Sequence, residues 1–193
     1  MSKIVVAAAA ALPKRARGLN RIKVILASVA LLALVVPAGA GAGNRGPVLT
    51  GEAEKLQVEA GNKLAFHAYA VGVQIYRWNG GSWSLVGPDA LLFADADCTA
   101  VVGTHYVGPT WETLGGSKVV ATVEKRYTPG PDSIDWLLLK AVSSEGAGVF
   151  NGVTFIQRVN TQGGKAPAEP GDFVGDEVEV PYATEYYFYR SQD

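Results

Sequence analysis

The stretch GTHYVGPTWETLGGSKV, residues 103 to 119, places one of the chain's two histidines, a tryptophan and a carboxylate around the turn dipeptide Gly108-Pro109. His105 can take or give a proton near neutrality, Glu112 can orient it, and Tyr106 and Trp111 offer flat faces with a polar edge. Converging beside a flexible rim, the four would suit a sugar or another neutral polar ligand; His105 with Glu112 alone would be a hydrolytic pair. A second candidate rim is QRVNTQGG, 157 to 164, where strand alternation predicts Arg158 and Asn160 on one side. The plain alternative is a corner of a β-protein, with Gly108-Pro109 a turn, Trp111 at the core margin, Glu112 in solvent and Gly115-Gly116 in the next hairpin. Both readings stand, because loops beside a rigid sheet are where sites concentrate.

Other chemistries lack their signatures. NGGSWSL and LGGSKVV come nearest to a serine-hydrolase elbow, yet both miss its final glycine. Cys98 stands alone, so an intramolecular disulfide is excluded; the thiol is either a small buried residue or an intermolecular link. His67 and His105 lie 38 positions apart with no H-E-x-x-H spacing, so no metal is expected. Asp95-Ala96-Asp97 starts like a calcium loop but fails at Thr99 and Ala100, which leaves a solvated turn. A glycosidase needs two opposed carboxylates, and Glu112, Glu124, Asp135 and Glu185 are all eligible, so none is singled out. With neither a Walker loop nor G-x-G-x-x-G between strand and helix, no nucleotide and no cofactor is expected.

The elements that must position these residues are strands. From Lys63 onward the chain is a series of β-branched and aromatic runs cut by Gly, Pro, Asn and Asp clusters. LAFHAYAVGVQIYRW (64 to 78) predicts a long strand or a pair broken by a bulge at Gly72; NGG (79 to 81) predicts a hairpin into SWSLV (82 to 86). Further strands are predicted at 90–94, 99–106, 117–125, 134–142, 152–160 and 177–190, separated by turns that include Gly87-Pro88-Asp89. In the last, Tyr182, Thr184, Tyr186, Phe188 and Arg190 share one side and Ala183, Glu185, Tyr187 and Tyr189 the other, so it is either covered on both faces or an aromatic platform. The expected fold is all-β, a single-domain sandwich or barrel of about eight to ten mostly antiparallel strands over 63–193, preceded by a polar segment at 43–62.

Residues 1–42 read as a signal peptide. Basic residues from Lys14 to Lys23 precede the 13-residue apolar run VILASVALLALVV, and PAGAGAGN offers cleavage after Ala40 or Ala42. The run is short of the ~20 residues that span a bilayer, so no transmembrane segment is expected in the mature chain. An apolar stretch upstream of the basic cluster suggests a true start nearer Leu19. Without the leader, 11 basic residues face 18 acidic ones, a net charge of −7. Such a field repels nucleic acid and favours solubility.

Motif by motif, GVQIYRW, GPTWE followed by GSKV, WLLLKAV, VTFIQRVNTQGGKAP and VPYATEYYFYR together resemble domain-of-unknown-function family 3455, an exported domain of bacteria and fungi, from about Leu64 to Arg190. The resemblance implies placement outside the cytoplasm and no catalytic residues. It implies no disulfide either: where many members carry a cysteine after GVQIY, this chain has Arg77 and Trp78. The leading expectation is an exported, non-catalytic binding module for a cell-surface polysaccharide or a protein. The alternatives are an extracytoplasmic hydrolase using His105 with a carboxylate such as Glu112, and a self-associating envelope protein.

Overall fold

A computed structural model describes residues 45–192; the expected signal peptide and its cleavage sites lie outside them. Eight strands follow one another up and down: β1 (Asn62–Trp78), β2 (Trp83–Phe93), β3 (Val101–Tyr106), β4 (Thr110–Thr113), β5 (Lys118–Tyr127), β6 (Trp136–Glu145), β7 (Val153–Gly163) and β8 (Glu177–Ser191). Each pairs antiparallel with its neighbour and β8 returns to β1, so the all-β domain is a closed barrel. No helix among the described residues is long and apolar enough to cross a membrane.

Alternation sorts the side chains. Along the β1/β8 seam Phe66 pairs with Phe188, Ala68 with Tyr186, Ala70 with Thr184 and Gly72 with Tyr182. Small residues on β1 thus make room for large rings from β8, the size alternation that fills a narrow barrel. The expected bulge at Gly72 is absent and β1 runs unbroken. Gly72 is instead a point of close approach, where a Cβ would stand 2.2 Å from the carbonyl oxygen of Asp89. The register slips between Ile75 and Tyr76, and β2 runs straight through Gly87-Pro88-Asp89, where a turn was expected, because the slip absorbs the irregularity inside the ladder. The Asn79 hairpin forms as predicted, with Asn79 N donating to Ser82 O at 3.1 Å.

The two ends of the barrel differ. Phe150, carried on the β6–β7 loop, is fully buried against Phe66 and Phe188 with ring centroids at 6.0 and 4.6 Å, closing one end. Ser117 Oγ receives the Phe150 N–H, and Arg190 Nη2 donates to Gly148 O and Val149 O, so this plug is pinned from both sides. The opposite end, framed by the β1–β2, β3–β4, β5–β6 and β7–β8 connections, stays open.

The polar segment before β1 is part of the fold. It holds a 3-10 helix, Gly51–Leu56, whose Leu56 packs on Leu138, Phe155, Val159, Tyr187 and Tyr189 on the outer face of the barrel. Gln157 Nε2 donates to Leu56 O at 2.7 Å and Tyr189 Oη donates to Gln157 Oε1 at 2.6 Å, which satisfies the amide and the phenol trapped there. Strand β8 is therefore covered on both faces. A six-residue helix is too short to show a period, which is why the segment reads as featureless.

Substituting Gly72→Ala is expected to cost about 1–3 kcal/mol, seen as several degrees in Tm, since the new methyl meets backbone rather than a yielding side chain. Gly130→Ala, with nothing within 4 Å of its Cβ position, is expected to stay within about 0.5 kcal/mol in the same thermal melts. Equal melting points for the two variants would refute the close-approach argument.

Candidate functional site

The open end of the barrel is a cavity of about 490 Å³. Its floor comes from three inward positions: His105 on β3, Trp111 paired with it on β4, and Tyr186 on β8. His105 and Trp111 stack at 4.3 Å with planes 10° apart, and Tyr186 turns its edge to both, at 5.1 and 5.3 Å. The walls are apolar, with Val123, Leu137 and Leu139 on β5 and β6. Gln74 and Tyr76 enter from β1 and Arg158 from β7, while Arg126, Asp135 and Lys165 stand at the rim. Arg126 is turned inward by a local irregularity: the register slips between Val123 and Lys125, so Val123 faces Leu139 and Arg126 faces Leu137.

His105 is held in one state. Its Nδ1 lies 2.8 Å from the carbonyl oxygen of Thr110, which can only accept, so Nδ1 carries the proton and Nε2 keeps its lone pair. Burial lowers its pKa from 6.5 to about 3, and the nearby Arg158 charge pushes the same way against the Thr110 bond. The imidazole is neutral across the physiological range.

Among the described residues, Gln74 Nε2, Trp111 Nε1 and Tyr186 Oη in this lining, and Tyr182 Oη beside it, have no hydrogen-bond partner within ordinary geometry. The residues that carry them are at most 3% exposed. Tyr182 interacts with Tyr186 and Gln74, and Tyr186 with Arg158, through weak side-chain hydrogen-bonding contacts that leave none of the four atoms with a full partner. Burial raises the pKa of both phenols, so both hold their protons. Arg158 spends Nε and Nη2 on the backbone carbonyl of Asp135, at 3.1 and 2.9 Å. The Asp135 carboxylate is itself engaged by Thr128 Oγ1 at 2.7 Å and by Arg126 at 3.5 Å.

The six residues picked from sequence divide into three places. His105, Trp111 and Arg158 line the cavity. Tyr106 and Glu112 face outward, joined by a 2.6 Å hydrogen bond from the phenol to the carboxylate. In the β3/β4 register His105 pairs with Trp111 while Glu112 pairs with Thr104, so the expected His105/Glu112 pair is divided by the sheet itself. Nor do Arg158 and Asn160 share a side. A bulge between Val159 and Gln162 puts Asn160 at φ 52°, and its amide donates to Glu185 Oε1 at 2.8 Å on the outer surface. There Glu185 Oε2 also takes hydrogen bonds from His67 Nε2 and Tyr187 Oη, both at 2.8 Å. Burial acts to raise the Glu185 pKa, but these three donors outweigh it and bring the pKa below the usual value.

Sequence reasoning missed Gln74, Tyr76, Arg126 and Lys165. Gln74 did carry a signal: it falls in phase with Ala68, Ala70 and Gly72 on the inward side of β1, where an amide has no business in a fully apolar core. Cys98 sits half-buried in the β2–β3 turn, where the Asp95 carboxylate accepts from the backbone of Thr99 and Ala100. Among the described residues no group of three or more His, Cys, Asp or Glu side chains is placed to hold a metal ion.

The model of a family described as protein of unknown function, DUF3455, matches residues 59–190. No curated protein and no solved structure matches the chain.

Because the folded His105 pKa lies below its unfolded value, the unfolded chain binds the extra proton between pH 6.5 and about 3. Stability contributed above pH 6.5 is therefore lost as the pH falls through that window, by at most about 1.4 kcal/mol per pH unit from this one group. In urea unfolding across the window, His105→Gln is expected to flatten the acid-side slope relative to the wild type. Superimposable slopes would mean that His105 is not buried neutral.

Proposed function

We propose that this chain, which belongs to the DUF3455 family, is an exported barrel that binds a small molecule in its open end without transforming it. One observation carries the reading: a cavity of about 490 Å³, closed below by the Phe150 plug, into which the fold brings partnerless buried polar groups. A buried amide, indole or phenol left unpaired costs roughly 1–3 kcal/mol, and a fold that carries several at one place is arranged around something that satisfies them. Volume and lining suit a small molecule, since such sites are concave, largely apolar and sharpened by a few polar groups.

The expectation of a polysaccharide partner narrows accordingly, because a long chain needs an open groove and this site is a well. Binding is also favoured over hydrolysis by the lining. Among the described residues it contains no serine, threonine or cysteine, and its one carboxylate, Asp135, is already occupied by Thr128 and Arg126.

A neutral solvatochromic naphthalene dye is expected to shift its emission to the blue on mixing with the chain. Val123→Trp, which fills the cavity from a wall position 36% exposed, should abolish the shift without unfolding the barrel. An unshifted spectrum in the wild type, or an equal shift in the variant, would sink the reading. Export is tested separately by N-terminal sequencing of protein from the extracytoplasmic fraction, with Gly41 or Gly43 expected as the first residue. An intact leader there, or protein confined to the cytoplasm, would overturn that part.

A further inference from the structure

We infer that the ligand of the barrel end is an organic monoanion, a carboxylate on an apolar body, with its head held between Arg158, Gln74 and Tyr186; this rests on the reading of the cavity as a binding site. The partnerless groups have one chemistry in common. Gln74 Nε2 and Trp111 Nε1 are donors only, and the two phenols can each give a proton. A set of donors calls for a ligand that brings acceptor oxygens.

Charge points the same way. Among the described residues no carboxylate lies within ion-pair distance of Arg158, whose Nε and Nη2 go to a neutral backbone carbonyl and whose guanidinium also bears on the Tyr186 phenol. Two of its five N–H groups are spent on that carbonyl, and the others, with the positive charge, stand beside the cavity and the Tyr186 phenol. His105, neutral, does not share the task. At the rim Arg126 and Lys165 add two cations against the single carboxylate of Asp135. A monoanion meets one half-buried guanidinium charge for charge, whereas a phosphate dianion would carry an unmatched charge past the Leu137 and Leu139 walls. Those walls and the Trp111 face require the rest of the molecule to be apolar.

The test uses three probes of one shape at neutral pH, phenylbutyrate, phenylbutanol and phenylbutylamine, titrated into the chain by calorimetry alongside the neutral dye. Wild type is expected to bind the acid at least about tenfold more tightly than the alcohol, as one charge-assisted head-group contact would give, and to reject the amine. Arg158→Met should bring the acid down to the level of the alcohol while dye binding, and hence the barrel, survives. Gln74→Leu, which leaves the Asp135 carbonyl untouched, should weaken the acid several-fold and decides the matter if Arg158→Met fails to fold. Dye binding with acid and alcohol equal, or with the alcohol or amine preferred, would overturn the anion and leave the cavity standing. Failure of the dye and all three probes would remove the cavity reading and this inference with it.

Discussion

A barrel exists only if its last strand finds its first in register, and here that closure depends on a size match. Ala68, Ala70 and Gly72 on β1 leave space that Tyr186, Thr184 and Tyr182 on β8 occupy. The same rings then decide everything inboard. Tyr186 meets Trp111 and His105 to form the floor, and Phe188 meets Phe66 and Phe150 to form the plug. On its other face β8 turns Tyr187 and Tyr189 toward Leu56 and Gln157, so one strand organises the lumen and anchors the N-terminal segment. Enlarging the small residues of β1 would disturb all of these layers at once.

Much of this was legible in residue order, and the remainder has identifiable causes. Period-two alternation and turn residues are local, so the strands, the Asn79 hairpin and the two faces of β8 could be read directly. Closure is not local: nothing along the chain says that Asn62 will lie beside Ser191. Bulges were the other obstacle. A single extra residue inverts every side chain beyond it, and that is how Asn160 left the side of Arg158 and how Arg126 came to face inward. His105 and Trp111 sit on adjacent short strands joined by a tight turn and face the lumen together, whereas Glu112, one residue on, is turned outward by the step that alternation makes decisive, as the corner reading has it.

The electrostatics of the molecule are uneven in an informative way. Residues 43–193 carry 11 basic against 18 acidic side chains, yet the cavity and its rim hold Arg126, Arg158 and Lys165 with Asp135 as the opposing charge. Positive charge is concentrated where the barrel opens, with an acidic surround. On the proposed binding reading, an apolar-walled recess focuses such a field, so an anion near the mouth is drawn inward against the net charge of the chain. Net charge alone therefore describes the solubility of this protein and not the preference of its interior.

The Phe150 plug has one more consequence. With Phe66, Phe150 and Phe188 sealing the far end, the lumen has a single doorway, and whatever enters past Arg126 and Lys165 must back out along the same path. On the proposed binding reading, a blind well of this kind retains its ligand and does not pass it on. Residence time would then be set by the four connections that ring the doorway, chiefly the β5–β6 span fastened to β7 by Thr161 and Ile134, and not by any traffic through the barrel axis.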